Sequence, residues 1–168
     1  FIDGEKPPLP FLCLLVSGGH TQIVLVNENF EMKILGKTID DAAGEAFDKA
    51  GKMLGLSYPS GPIIDNLAKE GNPRAFKFNT PNVDKLDYSF SGLKTSILYF
   101  LQKEMKENPN FIKQHLNDLC ASIQHTIVSY LLLKLKKAME ETGVKSIGIA
   151  GGVAANSALR DSLTKLAN

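Results

Sequence analysis

The sequence holds no tryptophan and only two cysteines among 168 residues. Cys13 sits in a strand-like apolar run and Cys120 in a helical one, so both read as buried thiols of a reducing compartment, not as a disulfide framework. Long hydrophobic runs are missing: Tyr130-Leu131-Leu132-Leu133 falls far short of the roughly 20 residues a membrane helix needs. No charged-then-apolar leader opens the chain, and the expected compartment is the cytoplasm. Surplus charge is missing too. Nineteen Lys and Arg against 18 Asp and Glu leave a formal net charge of +1, with no global field to hold a polyanion or a membrane. Any nucleic-acid contact must be local, and no aromatic RNA-binding motif is present. The chain also lacks an initiator Met, opening on Phe1-Ile2-Asp3-Gly4, and it stops at Leu166-Ala167-Asn168 inside a helical pattern. Both ends read as cut.

What is present is a chain with 43% hydrophobic residues, enough for one domain or one large lobe. Phe11 to Val16 and Thr21 to Val26 are β-rich runs flanking Ser17-Gly18-Gly19-His20, which predicts a hairpin, with Glu31 to Leu35 as a third strand. Thr38-Ile39-Asp40-Asp41 reads as a helix start, its acids suited to the positive end of the dipole, and that helix runs to about Leu54. Its core face is Ala43, Ala46, Phe47, Ala50, Met53 and Leu54. Gly44, Asp48, Gly51 and Gly55 align in one row, and since each helical glycine costs about 1 kcal/mol relative to Ala, the row implies packing or a ligand.

Further along, Tyr58 to Pro62 is a turn feeding a short helix with Pro62 at its first position, and 72–87 reads as loop. A helix opens at Ser89 to Thr95 and runs to about Lys106, and a long pillar helix runs from about Phe111 to Thr142. Lys145 to Ala150 is a short buried strand, Gly151 to Ser157 a glycine-led turn, and Ala158 to Leu166 a helix.

Three readings compete for Gly18-Gly19: a plain turn, a phosphate cradle, or part of a catalytic Ser17–His20 pair. Two Gly-Gly turns, at Gly18 and Gly151, suit a nucleotide cleft because absent side chains let amides reach phosphate and a helix N-terminus adds positive charge. Neither is a Walker A or a G-x-G-x-x-G loop. Ser17 and His20 match no strong nucleophile signature. On a helix-borne glycine row, Asp48 can accept from ribose hydroxyls or be an ordinary solvated acid; Asn156 can cap a helix or face a sugar. His115, Cys120 and His125, five apart, project roughly 140° from one another on a helix and cannot converge on one ion. Lys134, Lys136 and Lys137 suit the C-terminal end of the pillar helix.

The segments LVSGGHTQIV, TIDDAAGEAFDKAGKMLGLSYPSGP, YSFSGLKTS and GGVAANSALR, in this order, closely resemble the TsaD family, also called Gcp or YgjD in bacteria and Kae in archaea and eukaryotes. The resemblance covers nearly the whole chain. It implies an α/β fold, the actin-like ATPase architecture of RNase H-like sugar kinases and chaperones. Residues 1–168 would form part of the C-terminal lobe, with a mostly helical insertion and pillar over 37–142; an N-terminal lobe and a C-terminal tail are absent.

The implied activity is transfer of a threonylcarbamoyl group from threonylcarbamoyl-adenylate to the adenosine beside a tRNA anticodon. Leu15, Val16, Ser17, Gly18 and Gly19 resemble the family's adenylate hairpin, and Asp48, Gly61 and Asn156 its other substrate contacts. Implied companions are tRNA, a bound adenylate, and TsaB and TsaE as protein partners, with TsaC making the adenylate. The family's metal, commonly iron, is held by a His-x-x-x-His pair upstream and an Asp downstream, neither within 1–168, so the chain alone is expected to be inactive. Where the family has Gly-Gly-Pro this chain has Ser60-Gly61-Pro62, which is expected to crowd one close approach with a hydroxymethyl group. The alternatives are a kinase or ATPase of the same fold, a metalloprotease, which is the family's older label, and a bare assembly scaffold.

Overall fold

The computed structural model describes residues 7–167, so the expectations about the extreme ends, Phe1 to Gly4 and Asn168, fall outside the described residues. Phe11–Val16 (β1) and Thr21–Val26 (β2) pair as an antiparallel hairpin in which Val16 faces Thr21. Met32–Lys37 (β3) adds antiparallel to β2, and Ile147–Ala150 (β4) adds parallel to β1, giving the order β3-β2-β1-β4. Side chains alternate across a sheet. Leu12, Leu14, Val16 and Ile23 therefore share one face, where they join a buried cluster with Phe47, Ile123, Ile127 and Leu131.

Six helices complete the described residues: Ala43–Met53 (α1), Ser60–Ala68 (α2), Ser91–Glu107 (α3), Phe111–Gln114 (α4), Leu116–Thr142 (α5) and Ser157–Ala167 (α6). The first five lie between β3 and β4. A 3-10 turn, Gly152–Ala155, separates β4 from α6. Gly143 ends α5 in the left-handed conformation at φ 72°, a helix stop that favours glycine.

Several local expectations are corrected. α1 starts at Ala43, not at Thr38: its first amides are taken by the Thr21 hydroxyl, which accepts from Ala43 at 2.8 Å, and by the Ser17 carbonyl, which accepts from Gly44 at 3.1 Å. Asp40 serves another helix, accepting from the Phe90 amide at 2.7 Å and from the Ser89 and Ser91 hydroxyls at 2.5 and 2.8 Å, at the start of α3. The pillar is broken at His115, whose φ of −120° interrupts the helix while its ring packs against Phe111 and Phe76.

Pro62 is the third residue of α2, not its first, because the helix opens at Ser60. Lys134 is not a surface cation. It is buried and donates to the Lys85 carbonyl at 2.9 Å and to the Val83 carbonyl, pinning the 72–87 loop onto α5. The Tyr88 hydroxyl adds a bond to the Leu131 carbonyl at 3.1 Å. What reads as loop is thus tied along the pillar.

Candidate functional site: a cleft between the hairpin turn and the second glycine turn

A cleft with a volume of about 380 Å³ lies where the β1–β2 turn, α1, the start of α2 and the 3-10 turn meet, and polar groups converge on its apolar walls. Gly18, Asp48, Gly61 and Asn156, read from the sequence as site residues, all line it, with Phe47, Tyr58, Pro62, Asp65, Gly152 and Val153. The residues between Gly18 and Gly152 span most of the chain, so only the fold brings the two turns together. The remaining candidates stay outside the lining: Leu15 and Val16 are β1 residues, with Val16 fully buried, and Ser17 and Gly19 flank the one turn residue that reaches the cleft.

The hairpin turn is built by Ser17. Its hydroxyl oxygen accepts from the Gly19 amide at 3.3 Å and the His20 amide at 2.9 Å, a side-chain turn that mimics a backbone one. Ser17 is thereby engaged with backbone, and His20 meets it through its own amide. Gly19 spends its amide within the turn. Gly18 does not: its amide donates to no protein atom among the described residues, and neither does that of Gly152.

The glycines divide by cause. A Cβ at Gly44 would stand 2.7 Å from the Ser17 carbonyl oxygen, one at Gly51 would stand 2.2 Å from the Ser60 Cβ, and one at Gly151 would stand 2.2 Å from the Val16 carbonyl oxygen. Packing requires these. At Gly18 and Gly152 a Cβ would meet nothing within 4 Å, and Gly61 finds only the Phe47 Cβ at 4.0 Å. Of the four glycines that line the cleft, only Gly44 has a steric reason within the protein; Gly18, Gly61 and Gly152 have none.

The helical glycine row thus has two explanations, Gly44 under the hairpin and Gly51 under Ser60. Ser60 is 2% exposed; its hydroxymethyl group lies on Gly51 and its hydroxyl donates to the Ser57 carbonyl at 3.0 Å. It does not line the cleft, so the expected crowding there gives way to an inward packing contact.

Three polar side chains line the cleft. Asp48 Oδ1 accepts from the Ser60 amide at 2.7 Å, which leaves Oδ2 without a partner among the described residues. Asp65, which the sequence reading did not single out, accepts from the Ser157 hydroxyl at 2.7 Å and from its amide at 3.1 Å. Its signal is legible only in three dimensions, since its partner is 92 residues away. Asn156 is 8% exposed: Oδ1 accepts from the Leu159 amide at 3.0 Å as a helix cap, and Nδ2 donates to Gln124 Oε1 at 2.7 Å. The Ser157 and Leu159 amides at the start of α6 are therefore satisfied by Asp65 and Asn156. That part of the helix N-terminus is taken up by the protein's own oxygens, whereas the Gly18 and Gly152 amides at the cleft stay unpaired among the described residues.

Among the described residues no three His, Cys, Asp or Glu come together to hold a metal ion. Cys13 and Cys120 are unpaired, and burial pushes the Cys120 thiol up to about 11.

Comparison with known proteins gives a consistent frame. The family model "TsaD: tRNA N6-adenosine threonylcarbamoyltransferase" matches residues 1–168. Proteins named tRNA N6-adenosine threonylcarbamoyltransferase from Riemerella anatipestifer and Christiangramia forsetii are 60% and 58% identical over 95% and 96% of this chain, and each aligns over 47% of its own length. The protein of that name from Porphyromonas gingivalis is 55% identical over 95% of this chain. The chain spans about half the length of the curated relatives it matches. A solved structure described as the activator of the 2-hydroxyisocaproyl-CoA dehydratase from Clostridium difficile with bound ADPNP superposes with a TM-score of 0.53 at 14% identity, covering 96% of this chain and 52% of that one. At that identity the likeness speaks for the fold alone, which is that of the actin-like ATPases.

Proposed function

The chain belongs to the TsaD family of tRNA N6-adenosine threonylcarbamoyltransferases, and on that premise we propose that the protein carrying it moves a threonylcarbamoyl group from threonylcarbamoyl-AMP to the N6 amine of the adenosine beside a tRNA anticodon. One observation carries the assignment of the site: Gly18 and Gly152, from opposite ends of the chain, line one cleft with unpaired amides and open space where a side chain would be. Such amides can approach phosphate and carbonyl oxygens closely.

In the transfer, the amine nitrogen forms a bond to the carbamoyl carbon while the bond from that carbon to the adenylate phosphate oxygen breaks, AMP departs and one amine proton is released to solvent. Negative charge grows on the carbamoyl and phosphate oxygens, and fixed N–H dipoles placed there lower the barrier without reorganising. Gly18 and Gly152 supply those dipoles. Asp48 Oδ2 accepts from a ribose hydroxyl, while Oδ1 stays on the Ser60 amide and fixes the carboxylate plane. Leu15 and Val16 act as the strand that carries the turn, and Ser17 as the residue that shapes it. Asn156 holds the second glycine turn through its cap and its bond to Gln124. Asp65 ties α2 to the start of α6 and so fixes the cleft's width.

The family's iron supplies Lewis-acid stabilisation when bound; the carboxylates Asp48 and Asp65 make no ligand set for it, and every step above uses this chain's own groups. A cytoplasmic setting, with TsaB and TsaE as protein partners and tRNA as acceptor, completes the proposal.

The test is incubation of the full-length gene product with threonylcarbamoyl-AMP and unmodified tRNA, followed by nucleoside mass spectrometry. Threonylcarbamoyladenosine in the digest supports the reading. ATP consumption or phosphoryl transfer to a small acceptor, with tRNA unmodified, replaces it by a kinase or ATPase of the same fold.

A further inference from the structure

Tyr58 is 84% exposed, yet it lines the cleft beside Pro59, Pro62 and Phe47. Of the other three tyrosines, Tyr88 and Tyr130 are buried against one another, and Tyr99 is exposed on α3 away from the cleft. The Tyr58 ring makes no hydrogen bond, ion pair or ring contact with any described residue. Its backbone is held: two residues on, the Ser60 amide is fixed on Asp48 at 2.7 Å, and the Ser60 hydroxyl returns to the Ser57 carbonyl at 3.0 Å. A pinned backbone carrying a loose aromatic ring at the lip of an apolar-walled cleft can close on a flat ligand at small entropic cost.

Resting on the nucleotide reading above, we propose that Tyr58 is the specificity-determining cover of this cleft, stacking its ring on the purine base of the bound nucleotide. Two features of the cleft favour a base over another flat group. Its volume of about 380 Å³ falls in the small-ligand range, on the order of 300–1,000 Å³. Its polarity is also segregated: Phe47, Pro59, Pro62 and Val153 give apolar walls, whereas Asp48 and the unpaired amides of Gly18 and Gly152 give the hydrogen-bonding groups that a sugar and a phosphate need. Asp48 couples the two, because the residue that anchors the Tyr58 segment also keeps an oxygen open for ribose. Stacking is blind to base-edge hydrogen bonds but stronger for a two-ring purine than for a pyrimidine, so Tyr58 sets preference by ring area.

The experiment measures ADP and CDP binding calorimetrically on the full-length gene product, unsubstituted and as Tyr58→Ala, Tyr58→Phe and Tyr58→Trp. Tyr58→Ala is expected to weaken ADP about tenfold, within the range stacking contributes, and to narrow the ADP-over-CDP preference, while Tyr58→Phe stays within about twofold. The melting temperature should not move, since the side chain is 84% exposed. Because residues 1–168 hold no tryptophan, the Tyr58→Trp variant adds emission at the cleft, read as the difference from the unsubstituted protein, that should change on ADP addition. Unchanged ADP affinity and purine preference in Tyr58→Ala overturn the stacking role alone. Failure of the unsubstituted protein to bind ADP overturns the nucleotide reading with it.

Discussion

The Gly44 amide donates to the Ser17 carbonyl at 3.1 Å, and a Cβ on Gly44 would stand 2.7 Å from that same oxygen. This contact seats the β1–β2 turn on the first turn of α1. Gly44→Ala must push the turn away, since the opposing atoms are backbone, and a loss of about 1–3 kcal/mol is expected from overpacking. Denaturant melts of Gly44→Ala against the unsubstituted protein check it.

Ser60 occupies a position where the resembled family has glycine, and its hydroxymethyl group packs on Gly51. Ser60→Ala should cost about 1 kcal/mol through the lost bond to the Ser57 carbonyl, with nucleotide affinity unchanged. Affinity that rises on removal of the hydroxyl would mean that it faces the ligand after all.

Asn156 joins two demands in one side chain, capping α6 and satisfying Gln124. Asn156→Asp keeps the cap oxygen and loses the Nδ2 donor; Asn156→Ala loses both. The alanine variant should be the less stable, by about 1 kcal/mol for the missing cap. Thermal melts of the pair separate the two roles.

Burial by itself would raise the Asp40 carboxyl, but bonds from Ser89, Phe90 and Ser91 outweigh it and hold it below the ordinary carboxylate value. A depressed folded value means that the contribution to stability is present above the unfolded value of about 3.9 and is lost as pH falls through the folded one. Acid unfolding of Asp40→Asn followed below about pH 4 should therefore show a shallower pH dependence than that of the unsubstituted protein.

The hairpin, the strand before the second glycine turn and the core face of α1 were legible because each is a local pattern of alternation or helical spacing, although that strand, expected to be buried, is only half-buried. The start of α1 was not, because its cap is Thr21 on β2, and Asp40 looked like that cap while serving Phe90, 50 residues on. The break at His115 follows from its ring settling among Phe76 and Phe111, which no spacing announces. Within the site, the glycines were conspicuous in the sequence, but only coordinates separate Gly44 and Gly51, needed for packing, from Gly18 and Gly152, which packing leaves unexplained. Asp65 stayed hidden because it stands in no pattern and is revealed by a partner far along the chain, while Tyr58 read only as the opening of a turn until its exposure beside a cleft was seen.

The central claim is that the unexplained glycines face a bound adenylate, and paired measurements of stability and affinity on Gly18→Ala and Gly152→Ala test it most directly. Each added methyl enters open space, so melting should shift by no more than about 0.5 kcal/mol equivalent, as for a benign surface change. ADP affinity should nevertheless fall several-fold or more in both variants. Unchanged affinity in the two variants, with the fold intact, would contradict the account.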